Sequence, residues 1–152
     1  MNLAPDFNEF FASLIAHGVE FVVVGAHALA FHGAPRFTGD LDVLIRPTTE
    51  NGTRLIAALT DFGFPTDALT PESVVAPERL LQMGIEPVQI HVMSDISGVD
   101  WDSVWAGRVL GRAGDHEVAF IGRREFLRNK IAAGRPKDLA DIEAIGGLED
   151  VD

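Results

Sequence analysis

Two aspartates one residue apart, Asp40 and Asp42, have the type and spacing best suited to chemistry in this chain. They begin the run Asp40–Ile45 (DLDVLI), whose apolar residues predict a buried strand. Because side chains alternate across a strand, both carboxylates face the same side. Such a pair repels itself unless a cation lies between, and oxygen ligands suit Mg²⁺ or Mn²⁺. The alternative is a strand edge at solvent, where Asp40 caps the turn after Gly39.

A glycine at a predicted strand-to-helix junction offers a second chemical feature. Gly25 follows the apolar run 20–24 and precedes a short helical segment at 26–31. The free N–H groups at a helix N-terminus attract phosphate, so an anion site is predicted beside the carboxylate pair. Metal-assisted chemistry on a nucleoside triphosphate needs this combination. The segment GAHALAFHG contains neither the dinucleotide G-x-G-x-x-G nor the P-loop G-K-[ST].

Basic residues concentrate near the C-terminus. Six of the twelve Lys and Arg residues fall within positions 123–137: Arg123, Arg124, Arg128, Lys130, Arg135 and Lys137. Such a cationic strip can meet a phosphate group, and the alternative is a solvated helix face.

Composition limits the class of protein. The chain has 152 residues with 47% hydrophobic content, which suits one globular domain over 1–152, with an acidic tail at 147–152 that we expect to fray. The net charge of −11 argues against a general nucleic-acid-coating role, and the absence of cysteine excludes disulfides and thiolate metal sites. No apolar run approaches the roughly 18–20 residues that span a bilayer. The first residues lack a basic n-region, so we expect a cytoplasmic protein with no membrane partner.

The hydrophobic pattern predicts helices and strands in alternation, hence an α/β or α+β fold with a mixed sheet. Predicted strands are 20–24, 40–45, 87–93, 108–110 and 117–121. Predicted helices are 6–17, 26–31, 48–62, 78–83, 101–105, 123–133 and 136–145, and 66–77 is predicted as loop or irregular helix.

Two motifs in this order carry a family resemblance. The segment VVVGAHALAFHGAPRFTGDLDVLI resembles the opening of nucleotidyltransferase-fold proteins, with a strand, a glycine turn, a helix, a loop and Asp-x-Asp on the next strand. PRFTGDLDV together with FLRNKIAAGRPKDLADIEAI is similar to the AbiEii-like abortive-infection branch of that superfamily. The resemblance covers about 19–145 and implies a nucleotidyltransferase-like fold, a mixed sheet flanked by helices.

The resemblance also implies site residues. Asp40 and Asp42 match the catalytic metal-binding pair. Gly25 and Ala26 match the turn that contacts the triphosphate, although Ala26 replaces the usual second Gly or Ser and removes any hydroxyl contact. The remaining matches are nucleotide-binding or cleft-lining positions: Arg36, Thr38, Lys130, Arg135, Lys137, Asp138 and Asp141.

The third motif strand departs from the family. An Asp or Glu is expected there, but His91 occupies the position, with Gln89 on the same face. Asp95 follows four residues later, where we expect a loop. Three interpretations of His91 stay open: a general base, a sign of a degenerate site, or a hydrogen-bonded strand histidine.

Two functional hypotheses follow from the resemblance. The first is a metal-dependent nucleotidyltransferase that moves NMP from an NTP to an acceptor hydroxyl on RNA, protein or a small molecule. Lys130 or Lys137 would neutralise developing charge, and a partner protein or homodimer would supply acceptor surface. The second is a catalytically degenerate module that binds a nucleotide or a partner protein within a toxin–antitoxin or defence system.

Overall fold

A computed structural model describes residues 5–34, 39–85 and 88–147. The helices are α1 (Pro5–Ala16), α2 (Gly25–Phe31), α3 (Thr49–Phe62), α4 (Pro71–Val74), α5 (Trp101–Ala106), α6 (Arg123–Ala133) and α7 (Pro136–Ala144). The strands are β1 (Phe21–Val24), β2 (Asp40–Ile45), β3 (Leu80–Ile85), β4 (Val88–Met93), β5 (Val109–Ala113) and β6 (His116–Phe120). Within the described ranges, no helix is both long and apolar enough to cross a bilayer.

The six strands form one mixed sheet in the order β3-β4-β2-β1-β6-β5. Strand β2 lies inside the sheet, antiparallel to β1 and parallel to β4. In this register Asp42 lies opposite Val24 on β1 and opposite His91 on β4. The sheet therefore brings three sequence-distant segments together at Asp42, and the α/β class with a mixed sheet is confirmed.

The core explains why these segments fold as they do. All four residues of β1 are buried, and on β2 only Asp40 and Asp42 keep partial exposure. Helix α1 adds apolar side chains at helical spacing, including the fully buried Phe10 and Leu14. Each such side chain contributes roughly 1.5–3 kcal/mol by leaving water. The carboxylates of β2 are thus the polar exceptions on a strand held by apolar burial.

A buried asparagine at the start of α3 fixes the register of β1 and β2. The side-chain amide of Asn51 donates to the carbonyls of Glu20 and Arg46, at 3.0 Å each, and its Oδ1 accepts from the Glu20 N–H at 2.8 Å. The helix itself begins after Thr48, whose hydroxyl accepts from the Asn51 N–H. Because a one-residue slip would reverse which face each side chain takes, this anchor helps keep Asp40 and Asp42 on their face.

One predicted element is wrong. Residues 78–83 were expected to be helical, but the chain forms strand β3 there, paired antiparallel with β4. Leu81 and Met83 are buried while Leu80 and Gln82 are exposed, which is the alternation of a strand. The short apolar run alone was ambiguous, and its partner β4 decides the outcome.

The other predicted elements are confirmed within a few residues at their ends. The irregular segment at 66–77 contains the short α4, which Thr70 and Ser73 cap reciprocally. Arg36, Thr38 and residues 148–152 of the predicted tail lie outside the described residues.

Candidate active site

The two aspartates of β2 line one cleft of about 320 Å³. This volume lies within the range of small-molecule sites, roughly 300–1,000 Å³. The other lining residues are Val24, Gly25, Ala26, Met93, Asp95, Ile96, Ser97, Asn129, Lys130, Ala133, Arg135 and Lys137. The structure therefore gathers at one cleft Gly25, Ala26, Asp40, Asp42, Lys130, Arg135 and Lys137. Three other residues that the resemblance singled out lie behind this lining: His91 contacts Asp42, and Asp138 and Asp141 contact Lys130.

Gly25 approaches the Asp42 carboxylate so closely that only glycine fits. Its φ is +69°, a region that favours glycine, and a Cβ placed there would lie 2.2 Å from Asp42 Oδ2. The reason for glycine at this junction is thus both conformational and steric. One oxygen of Asp42 packs directly against the backbone at the start of α2.

The other Asp42 oxygen is held by His91. Nδ1 of His91 lies 2.8 Å from Asp42 Oδ1, and its Nε2 lies 3.4 Å from Gln89 Oε1. The side chains of His91 and Asp42 are 19% and 18% exposed, so bulk water does not replace this contact freely. The imidazole donates to Asp42 either as a neutral Nδ1–H tautomer or as a protonated ring. Both ring nitrogens therefore face polar groups of the sheet.

Two of the three cations that line the cleft in the described part of the chain are already paired. Nζ of the buried Lys130 lies 3.3 Å from both Asp138 and Asp141, and the guanidinium of Arg135 donates to Asp138 at 2.7 and 3.2 Å. Burial alone would raise the pKa of Asp138, but hydrogen bonds from Arg135 and the charge of Lys130 lower it to about 2. Lys137 is exposed and forms no ion pair with any described residue.

Asp95 is a cleft residue that the sequence did not reveal. It lies in the loop after β4, as expected, and from there it lines the cleft with Asp40 and Asp42. Asn129 donates to the Ser97 carbonyl at 3.0 Å, which ties this loop to α6. The signal that could have found Asp95 is the alternation from Gln89 onward, which carries the same strand face past the end of β4.

Helix α2 carries a half-buried histidine, His27, two residues after Gly25. His27 packs edge-on against Phe7 at 5.7 Å, and its Nε2 is buried with no hydrogen-bond partner among the described residues. Burial lowers the pKa of His27, and the charge of Asp42 opposes this shift in part. His27 thus stays neutral more readily than an exposed histidine.

Comparison with known proteins bears on the fold. No protein-family profile and no curated protein matches the chain. A crystal structure from Thermotoga maritima, of a "putative nucleotidyltransferase", matches 93% of this chain and 93% of its own with a TM-score of 0.60 and 12% identity. The chain has the nucleotidyltransferase fold. The AbiEii-like branch is a finer assignment that this match does not reach.

The nucleotidyltransferase fold implies a divalent metal, and the donor set can be tested for it. Among the described residues, no group of three or more His, Asp or Glu side chains is arranged to hold a metal ion. Mg²⁺, however, is usually bound by one or two carboxylates, with waters and substrate phosphates completing the shell. Asp40 and Asp42 on one cleft meet that requirement, so the residues fit a metal that arrives with a nucleotide.

Proposed function

We propose that this protein is a metal-dependent nucleotidyltransferase that moves NMP from an NTP to an acceptor hydroxyl. The supporting observation is that Asp40 and Asp42 share one cleft with Gly25 and with Lys137, which pairs with no described residue. As the sequence predicts, we place the reaction in the cytoplasm.

In this proposal each cleft residue has a role that follows from its position. Asp40 and Asp42 hold Mg²⁺ or Mn²⁺, which neutralises phosphate charge when the nucleotide is bound. Lys137 extends into solvent at the cleft and meets the phosphates as a point charge. Gly25 and Ala26 bring backbone close to the triphosphate, since neither has a side chain large enough to block it.

The paired cations have a supporting role in the proposal. Lys130 forms ion pairs with Asp138 and Asp141, and Arg135 forms one with Asp138. These ion pairs join α6 to α7 and so hold in place the start of α7, which carries Lys137. Arg36 and Thr38 stay predicted nucleotide contacts.

His91 is proposed to position Asp42. Its ring nitrogens face Asp42 and Gln89, so a hydroxyl in the cleft has no access to an unoccupied nitrogen. A positioned imidazole keeps Asp42 turned toward the cleft, and the general base must then be another group.

A second candidate function is a nucleotide- or partner-binding module without transfer activity, in a toxin–antitoxin or defence pair. The observation in its favour is that His91 stands where the family has a carboxylate and occupies one oxygen of Asp42. Its partner would be a second protein or a second copy of this chain. For the first candidate, the nucleotidyltransferase, the acceptor of NMP is RNA, a protein or a small molecule.

Calorimetric titration tests the two candidates. ATP, CTP, GTP and UTP are titrated with Mg²⁺ and then Mn²⁺ into wild type, Asp42→Asn and the control Asp67→Asn, an exposed aspartate distant in sequence. We expect metal-dependent binding that Asp42→Asn abolishes and Asp67→Asn keeps. Transfer from α-labelled NTP then decides between enzyme and binding module. Absence of metal-dependent binding in wild type would refute the proposed transfer.

A further inference from the structure

A second cavity of about 450 Å³ adjoins the candidate nucleotide cleft. The two cavities share four lining residues, which are Met93, Asp95, Ile96 and Ser97. The remaining lining of the second cavity comes from the start of β3 and the turn before it: Glu78, Arg79 and Leu80. A molecule in the second cavity would thus contact the same wall as a nucleotide in the cleft.

The second cavity suits an apolar body with little negative charge. Leu80 is 52% exposed there, and Met93 and Ile96 add apolar surface. Among the described residues that line it, two carboxylates, Glu78 and Asp95, face one guanidinium, that of Arg79. Together with the net charge of −11, this balance disfavours a polyanion such as a nucleic acid strand.

The turn that forms the outer wall is held in place before any ligand binds. Glu78 has a φ of +62°, an uncommon conformation for a residue with a side chain. Asp95 Oδ2 accepts from the Glu78 N–H at 3.1 Å. The buried Ser94 donates to the Ala76 carbonyl at 2.6 Å and accepts from the Arg79 N–H at 3.3 Å. These contacts explain how a strained residue persists, and they indicate a preformed cavity.

We propose that the second cavity binds the acceptor, an alcohol with an apolar body, and that Asp95 is the general base. This inference rests on the proposed nucleotidyl transfer. The acceptor O–H gives its proton to the Asp95 carboxylate, and the oxygen forms a bond to the α-phosphorus of the NTP. The bond from that phosphorus to the bridging oxygen of the β-phosphate breaks, and pyrophosphate leaves. One oxygen of Asp95 holds the turn, and the other has no partner among the described residues.

The cavity can be tested without any nucleotide. 2-Phenylethanol serves as the probe, and the methyl NMR signals of Leu80, Met93 and Ile96 are followed in nucleotide-free protein. We expect saturable shifts at millimolar concentration, as for any ligand this small. Leu80→Ser, at an exposed position, should weaken these shifts at least threefold, and ethylene glycol should cause none. Wild-type protein without saturable shifts would overturn the acceptor site, whatever the nucleotide titrations show.

The base is tested by transfer from α-labelled ATP with Mn²⁺ to the same alcohol. Asp95→Asn still accepts from the Glu78 N–H but cannot take a proton, so the expected loss of kcat is about 10²–10⁴-fold with ATP binding unchanged. The control Asp67→Asn changes an exposed aspartate that lines neither cavity, and it should keep wild-type kcat. Transfer by Asp95→Asn at the wild-type rate would remove Asp95 from the mechanism.

The two proposals fail in different ways. Protein that binds ATP and the alcohol without joining them, or that prefers the 3′-hydroxyl of a single-stranded oligonucleotide, overturns the acceptor assignment alone. Protein that binds the alcohol but no nucleotide overturns the proposed transfer and, with it, the acceptor role.

Discussion

Replacing Gly25 by alanine should separate the steric demand of Asp42 from ordinary backbone strain. A Cβ at Gly25 would lie 2.2 Å from Asp42 Oδ2, whereas at Gly18 it would meet no atom within 4 Å. Both glycines have a φ of +69°. Gly18→Ala is therefore a matched control that carries the same conformational cost without the contact.

The magnitude follows from these two terms. An alanine in the left-handed region costs roughly 1–2 kcal/mol, and the reduced entropy of the unfolded chain returns about 0.4–1 kcal/mol. Gly18→Ala should thus lower the free energy of unfolding by at most about 1.6 kcal/mol. In Gly25→Ala the Asp42 carboxylate must also retreat by about 1 Å to reach an ordinary contact, which breaks its hydrogen bond to His91. A charge-assisted bond contributes about 1.5–3 kcal/mol, so the total loss should be about 1.5–4.6 kcal/mol.

Urea unfolding measures the free energy of unfolding of Gly18→Ala, Gly25→Ala, Asp42→Ala and the double variant Gly25→Ala/Asp42→Ala. Asp42→Ala removes the clashing carboxylate. The free energy of unfolding of the double variant should therefore fall by at least about 1 kcal/mol less than the sum of the losses in its two single variants. Metal-dependent ATP binding should be lost in Gly25→Ala and kept in Gly18→Ala. Equal losses of stability in Gly18→Ala and Gly25→Ala would refute the close approach.

Three further changes test the charges around the cleft. Lys130→Met leaves two buried carboxylates without their ammonium partner and should lower the free energy of unfolding by about 3 kcal/mol, against less than about 0.5 kcal/mol for exposed Lys137→Met; similar urea midpoints would contradict this. The pKa of Asp138, about 2 against a usual 3.8, means that its ionised form stabilises the fold above pH 4. Wild type should lose at most roughly 2 kcal/mol as the pH falls from about 5 to 2, and Asp138→Asn should lack that part of the slope. His91→Asp sets a carboxylate against Asp42, so we expect a lower Tm without metal and a larger Mn²⁺-induced rise than in wild type; an unchanged rise would contradict the placement.

Local pattern was enough to predict strand β2 and the shared face of its two aspartates. The period-2 alternation of β2 placed Asp40 and Asp42 on one face, and counting along the next apolar strand placed His91 at the position of the third motif residue. The structure pairs His91 with Asp42 in register. The shared face of Asp40 and Asp42 is confirmed, because β2 is short and its other residues are buried, so alternation decides which face each side chain takes.

Other parts depend on contacts that sequence spacing does not show. Lys130 belonged to an apparent cationic strip, but the packing of α7 on α6 buries it between Asp138 and Asp141. The proposed role of Asp95 depends on its hydrogen bond to the turn at Glu78, in a segment whose sequence predicted a helix. Since β3 exists only as the partner of β4, no local property of the segment revealed that turn.

The surroundings of Asp42 argue against the alternative of a strand edge at solvent. Strand β2 has neighbours on both sides, so Asp42 lies in the interior of the sheet. Gly25 leaves room for one of its oxygens, and His91 provides a donor to the other. A carboxylate that only caps a turn would need neither, and an apolar residue here would bury more favourably. A half-buried carboxylate lowers the stability of the fold, and proteins retain such destabilising residues mainly at functional sites. Asp42 is therefore the residue whose substitution should most clearly separate the proposed activity from the fold.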